Sequence, residues 1–189
     1  MTAALAARGA REIAVNDPGL RIEHLDARHW REYKTLRLEA LRLEPAAFSS
    51  TYEETRTRPD EWWQARLADS RCATLMGLAG ETPVGTVTAC RDASGDHPDV
   101  GMIFGMYVNA RYRRQGIGRA LLIAAIDHLA AFAEITTIHL FVTPTQHPAR
   151  ELYQSLGFRI IAEPDGQAPG AEYLMERPAR PPGSAPGRL

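Results

Sequence analysis

Between Gly105 and Phe132 the chain runs from an apolar segment ending in Met106-Tyr107-Val108, through a basic turn, into a long amphipathic stretch. Few folds accommodate that order. The apolar segment predicts a buried strand ending near Val108. Beyond it Ile117, Leu121, Leu122, Ala125, Ile126, Leu129 and Phe132 recur at helical spacing. Gly116 and Gly118 open this predicted helix, and Arg111, Arg113, Arg114 and Arg119 crowd around its start. The first N–H groups of a helix have no internal partners, and the helix dipole places partial positive charge beside them. Glycine lets a ligand approach that bare backbone, and arginine adds forked donors suited to phosphate oxygens. The segment therefore reads as a phosphate cradle. It is neither of two familiar cradles. A P-loop needs Lys after its second glycine, where Arg119 stands, and a dinucleotide fingerprint needs Gly where Leu121 stands.

The rest of the chain surrounds this unit in a mixed α/β order. Residues 1–19 end in the turn signal Asp17-Pro18-Gly19 and predict a mobile arm. Leu20 to Leu25 reads as a short strand. Asp26 then caps a helix reaching about Leu43, which Pro45 ends. Residues 46–52 read as a loop followed by the acidic Glu53-Glu54, and Pro59-Asp60-Glu61 opens a second helix carrying Trp62, Trp63 and Leu67. Cys72–Leu78 and Val84–Cys90 read as a hairpin, and Met102–Val108 as the next strand. After the central helix come a β-branched strand over Ile135–Val142 and a short helix over Ala149–Leu156, closed by Gly157. Two short strands, Phe158–Ile161 and Glu172–Met175, flank a turn at Pro164–Gly170. From Pro178 the chain is prolines among small residues, a composition that predicts a disordered tail. The expected organisation is an arm over 1–19, one domain over 20–176 and a tail over 177–189. Such an order predicts an α/β domain with a mixed sheet.

Charge and cysteine content bound the function. With 22 Lys and Arg against 23 Asp and Glu the net charge is −1, so nothing global favours nucleic acid or an anionic membrane surface. Cys72 and Cys90 have no metal-ligand spacing and suit a reducing compartment with free thiols. No apolar run reaches the roughly 18 residues of a spanning helix, and no apolar signal core is evident. A cytoplasmic protein without membrane, nucleic-acid or metal partners is expected.

A second motif gives the cradle a context. Ala149-Arg150-Glu151-Leu152-Tyr153-Gln154-Ser155-Leu156-Gly157-Phe158 follows the buried strand after the central helix. Together with Arg113, Gly116 and Gly118 of the basic turn, it resembles the GNAT acetyltransferase superfamily over roughly residues 20–176. The resemblance implies the GNAT fold, a mostly antiparallel mixed sheet of about seven strands flanked by about four helices. It implies acetyl-CoA as co-substrate, with the pyrophosphate received by Arg113, Arg114, Gln115, Gly116, Ile117, Gly118 and Arg119. Met106, Tyr107 and Val108 would lie along the pantetheine, and the Val108 N–H would face the thioester oxygen. Relatives often carry Asn where Gln146 stands, and Gln keeps the amide that would contact pantetheine. The resemblance also leaves open a homodimer formed through sheet edges.

The implied chemistry is direct attack of an amine on the thioester in a ternary complex. Tyr153 would protonate the departing thiolate, an exchange between a phenol near pKa ~10 and a thiol near ~8.5. Many relatives place a carboxylate on the strand before the cradle, and Met102–Val108 has none. The candidate bases are Asp99, His97, Glu53 or a water chain. Phe48, Ser49 and Glu53 are expected at the acceptor site, where acid beside aromatic groups would suit a cationic amine. The acceptor class stays open between a small amine, a protein N-terminus or lysine, and no acceptor at all in a non-catalytic acyl-CoA sensor.

Overall fold

In the computed structural model, which describes residues 19–91, 96–164 and 171–181, the hairpin after residue 72 forms the middle of a seven-stranded sheet. Its strands are β1 (Leu20–His24), β2 (Cys72–Ala79), β3 (Thr82–Arg91), β4 (Val100–Val108), β5 (Thr137–Val142), β6 (Arg159–Ala162) and β7 (Tyr173–Pro178). They lie in the order β1-β2-β3-β4-β5-β7-β6, antiparallel except for β4 with β5. The helices are α1 (Trp30–Leu43), α2 (Tyr52–Arg56), α3 (Asp60–Ala68), α4 (Ile117–Ala130) and α5 (His147–Ser155). A mixed, mostly antiparallel α/β sheet was expected and is found.

Strand alternation sends neighbouring side chains to opposite faces, and each face here has its own core. Leu75 packs with Leu121, Leu122, Ala125 and Leu129 of α4, and the next residue, Met76, packs with Tyr33, Leu36 and Trp63 of α1 and α3. Burying each α4 leucine contributes roughly 1.5–3 kcal/mol, which fixes the first turn of that helix against the sheet. Of the adjacent tryptophans, Trp63 is fully buried and Trp62 is half-buried, as helical geometry requires of neighbours.

One irregularity makes room for a site. β4 and β5 pair only from Val100–Thr137 to Ile103–Leu140. Beyond that point β4 continues against β3 alone and β5 against β7. The cause lies in β4, where the register slips opposite Thr86 and Thr88 and Gly105 takes a φ of +67°. An extra residue of this kind bends a strand, and glycine is the residue that enters the left-handed region without strain. The two strands diverge there and leave a wedge.

Three expectations need correction. Part of the presumed loop at 46–54 is helical: Thr51 caps α2, its hydroxyl oxygen accepting the Glu54 N–H at 3.3 Å and donating to Glu54 Oε2 at 2.9 Å. The boundary at 176 falls inside β7, which runs to Pro178. Ala179 is then buried, and Arg180 donates to the carbonyls of Ala130, Phe132, Ala133 and Ile135 at 2.8–3.1 Å. That guanidinium serves the last carbonyl of α4, at Ala130, and three carbonyls of the segment that follows it. Finally, Cys72 and Cys90 are not free thiols. The β2–β3 register sets them directly opposite with Cα atoms 4.0 Å apart, and they form a disulfide. The arm over 1–18, the loop at 92–95, the turn at 165–170 and the tail from 182 lie outside the described residues. Among those described, no helix is long and apolar enough to cross a membrane.

Candidate active site

The wedge between β4 and β5 opens into a cleft of about 740 Å³ walled by β4, the start of α4, the end of β5, α5 and the segment after α1. Gly116 caps α4 with a φ of +85°, a left-handed geometry that turns the chain abruptly from the basic segment into the helix. The preceding Arg114 is also left-handed, at +63°. Gly118 follows in the first turn, and a Cβ there would sit 3.2 Å from Met106 Cε and 3.5 Å from Leu152 Cδ2. The helix start is thus pressed against β4 and α5, so backbone rather than side chain forms the cleft wall at this point.

The basic residues do not share one role. Arg113 Nε donates to the Val108 carbonyl at 2.9 Å, and its Nη2 pairs with Glu44 at 2.7 Å. Arg119 donates to Ser155 Oγ at 3.1 Å and so ties α4 to α5. Arg114 lines the cleft with them. Gln115 donates to the Arg111 carbonyl at 3.2 Å, and Ile117 is buried under Gly77; neither side chain lines the cleft.

β4 presents its open side to the cleft. The Asn109 N–H reaches the Val84 carbonyl at 2.8 Å. Antiparallel alternation then turns the N–H and C=O of Val108 the other way, into the wedge. Met106 and Val108 line the cleft. The Tyr107 ring turns behind the strand, where its hydroxyl donates to Glu39 Oε1 at 2.7 Å and Asn109 Nδ2 donates to the same oxygen at 2.6 Å. Burial first, then Glu39, raises that phenol well above its ordinary pKa.

Across the cleft stands Tyr153 on α5, 6% exposed, its ring edge-on to Phe158. Burial pushes its phenol up to about 12, so it holds its proton throughout the neutral range. Gln146, just before α5, also lines the cleft.

The three suggested bases lie elsewhere. Asp99 precedes β4 at the end remote from Val108 and accepts from Thr136 Oγ at 3.2 Å. His97 is exposed in the same loop. Glu53 is exposed and bonded to Arg56 at 2.6 Å, because α2 turns its first-turn acids toward solvent. Phe48 and Ser49 do line the cleft, and with them come Arg37, Arg66 and Glu172, which sequence reasoning missed. Arg37 and Arg66 had a signal, since each interrupts the core-facing spacing of its helix beside Tyr33, Leu36 and Trp63. Glu172, at the threshold of β7, had none. Burial holds its carboxyl above the ordinary range, and it has no ion pair among the described residues.

These residues fit acetyl-CoA. The α4 start offers bare N–H groups and cationic side chains for a pyrophosphate, the open edge of β4 offers backbone partners for an amide chain, and Tyr153 offers a proton. Residues 36–158 match the family profile described as the Acetyltransferase (GNAT) family. The chain belongs to the GNAT acetyltransferase family. The family's name gives its chemistry as acetyl transfer, and the residues that line the cleft fit acetyl-CoA as the donor. A mycothiol acetyltransferase of Kocuria rhizophila is 37% identical over 71 residues, 38% of this chain and 23% of that protein. The chain thus spans about a quarter of the length of that relative. Among solved structures, the ribosomal-protein-S5-alanine acetyltransferase of Vibrio fischeri superimposes with a TM-score of 0.71 at 15% identity, covering 91% of this chain and 97% of that one. The Salmonella typhimurium protein yncA, solved with its cofactor acetyl-CoA, gives 0.69 at 19% identity, covering 90% and 99%. At such identities these two establish the fold alone.

Proposed function

We propose that this GNAT acetyltransferase acetylates the primary amine of a small molecule by direct attack within a ternary complex. Acetyl-CoA, when bound, supplies an activated acyl group. The first turn of α4 with Arg114 and Arg119 holds the pyrophosphate, and Met106, Val108 and Gln146 hold the pantetheine. The Val108 N–H donates to the carbonyl oxygen as negative charge develops there, the point at which a preorganised donor accelerates reaction. As the amine nitrogen bonds to the carbonyl carbon, the C–S bond breaks. The amine proton passes to Glu172, and the Tyr153 phenol supplies one to the sulfur. The products are an amide, a thiol, a neutral carboxyl and a phenolate, and proton exchange with solvent restores the last two.

One observation carries this proposal: a helix-start cradle, an outward-facing Val108 N–H and a protonated, buried Tyr153 share a single cleft. Glu172 is favoured as base because its raised pKa brings it closer to that of an amine. The test is to supply acetyl-CoA with a panel of amines, free peptides and proteins, and to weigh the products by mass spectrometry. Equimolar thiol and N-acetylated small amine are expected. Acetylation confined to protein N-termini or lysines would move the acceptor class, and acetyl-CoA binding without product would identify a sensor.

A further inference from the structure

The acceptor end of the cleft is cationic, the reverse of what the acidic Glu53-Glu54 segment suggests. Arg37 reaches it from α1 and Arg66 from α3, and both also line a small pocket that adjoins the cleft. Arg37 lies over the Phe48 ring at 4.4 Å, and its Nη1 is buried with no hydrogen-bond partner among the described residues. That same nitrogen would be 3.9 Å from a Cβ on Gly105, so it sits at the bulge where β4 leaves β5. Arg66 donates from Nε to the Tyr33 hydroxyl at 3.0 Å, between the rings of Trp62 and Phe104 at 5.6 and 5.8 Å.

Among the described residues no acid forms an ion pair with either arginine. Glu44 is taken by Arg113 and Glu53 by Arg56, and Glu54, which lines the adjoining pocket and keeps its charge, makes no ion pair with Arg37 or Arg66 among the described residues. Glu172 lines the same cleft from the β7 side and makes no ion pair with either arginine among the described residues. The two guanidiniums are near enough to repel one another, and burial already disfavours the charge on Arg37. A guanidinium nitrogen buried without a partner, as Arg37 Nη1 is, is costly to keep, and a forked donor of this kind matches a planar carboxylate. An anion delivered by the substrate would satisfy both.

Given acetyl transfer in this cleft, on which the assignment rests, we propose that the acceptor is an amine that also carries a carboxylate, bound by Arg37 and Arg66. The aromatic rings of Phe48 and Phe104 then cover its apolar body, and its amine is directed toward the thioester. A lysine side chain, cationic and without a nearby carboxylate, is a poor match for this end of the cleft.

The test uses matched acceptor sets: L-phenylalanine, leucine and methionine, each with its α-amide and its decarboxylated amine. The amide has the less basic nitrogen and starts with the chemical advantage, so a preference for the carboxylate is informative. Wild-type protein is expected to favour the carboxylate form by about 100-fold or more in kcat/KM for at least one set. Arg37→Met and Arg66→Met should each collapse that ratio while acetyl-CoA affinity, read by calorimetry, stays at the parent value and certifies folding. Equal turnover of the amide or decarboxylated form by the wild type overturns the carboxylate assignment and leaves the acetyltransferase standing. Acetyl-CoA binding with no acceptor turned over in any set also overturns the carboxylate assignment, and the acetyltransferase reading falls with it only when the wider panel of amines, peptides and proteins yields no product either. Because the wild-type ratios alone decide the matter, a misfolded variant does not rescue or sink the assignment.

Discussion

Arg113, Arg114 and Arg119 have the same side chain and different commitments. Arg113 and Arg119 hold the walls of the cleft together, through Glu44 and the Val108 carbonyl in one case and Ser155 in the other. Arg114 is therefore the arginine most available to a phosphate. Replacing Arg114 with Ala should raise the acetyl-CoA dissociation constant roughly 10-fold or more, the cost of one hydrogen bond to a charged group, with melting temperature little changed. An unchanged constant in calorimetry would assign the phosphate to the backbone alone. Glu172 gives a pH dependence with a definite sign. It accepts a proton only when ionised and burial raises its pKa, so activity should fail as pH drops through a value above the ordinary carboxylate range. In Glu172→Gln that acid limb should disappear along with most of the rate; a retained limb would place the base elsewhere. The cradle was legible because its glycines and arginines are local in sequence, and Tyr153 was singled out only through the family resemblance of its segment. Composition hid Arg37, Arg66 and Glu172, which converge from α1, α3 and the start of β7.

At the scale of elements, periodicity and caps did most of the work. The stripe of α4, the Asp26 cap before α1 and the hairpin of β2 and β3 were all visible in residue order. α2 was missed although Thr51-x-x-Glu54 is a capping-box spelling, because its acids were read as an acceptor site. Residues 177–181 were read by composition as part of the tail, and there a single docked arginine outweighed it. Cross-strand register was invisible, and with it the Cys72–Cys90 bond. Closing that loop should stabilise the fold by about 3 kcal/mol on the chain-entropy account. Reduction is therefore expected to lower the melting temperature by roughly 6–12 °C, measured with and without reductant. No shift would mean that the thiols are already free in the protein as purified.

The whole molecule depends on one departure from regular pairing: β4 and β5 part at Gly105, and the cleft occupies the gap. Motif order implied that strand and helix adjoin, yet the wedge follows from a register slip that no single residue announces. The opposite end of the molecule makes its own prediction. The ring of His128 on α4 lies 5.4 Å from that of His24 of β1, tilted by 54°, and its pKa is lowered to about 4, by burial first and then by the charges of His24 and Arg91. Its neutral form is the folded form. Stability from this pair should be complete above about pH 6.5 and be lost as pH falls toward 4. Melting curves of the parent and His128→Gln should converge over that window, and parallel curves would rule the pair out as the cause.

The claim on which the rest depends is that this cleft performs acetyl transfer with Tyr153 as acid. It is tested most directly by comparing Tyr153→Phe with the parent in acetyl-CoA affinity and in turnover on the best acceptor. The expected result is an unchanged dissociation constant with kcat lower by about 10²–10⁴-fold. Turnover at the parent rate would contradict it.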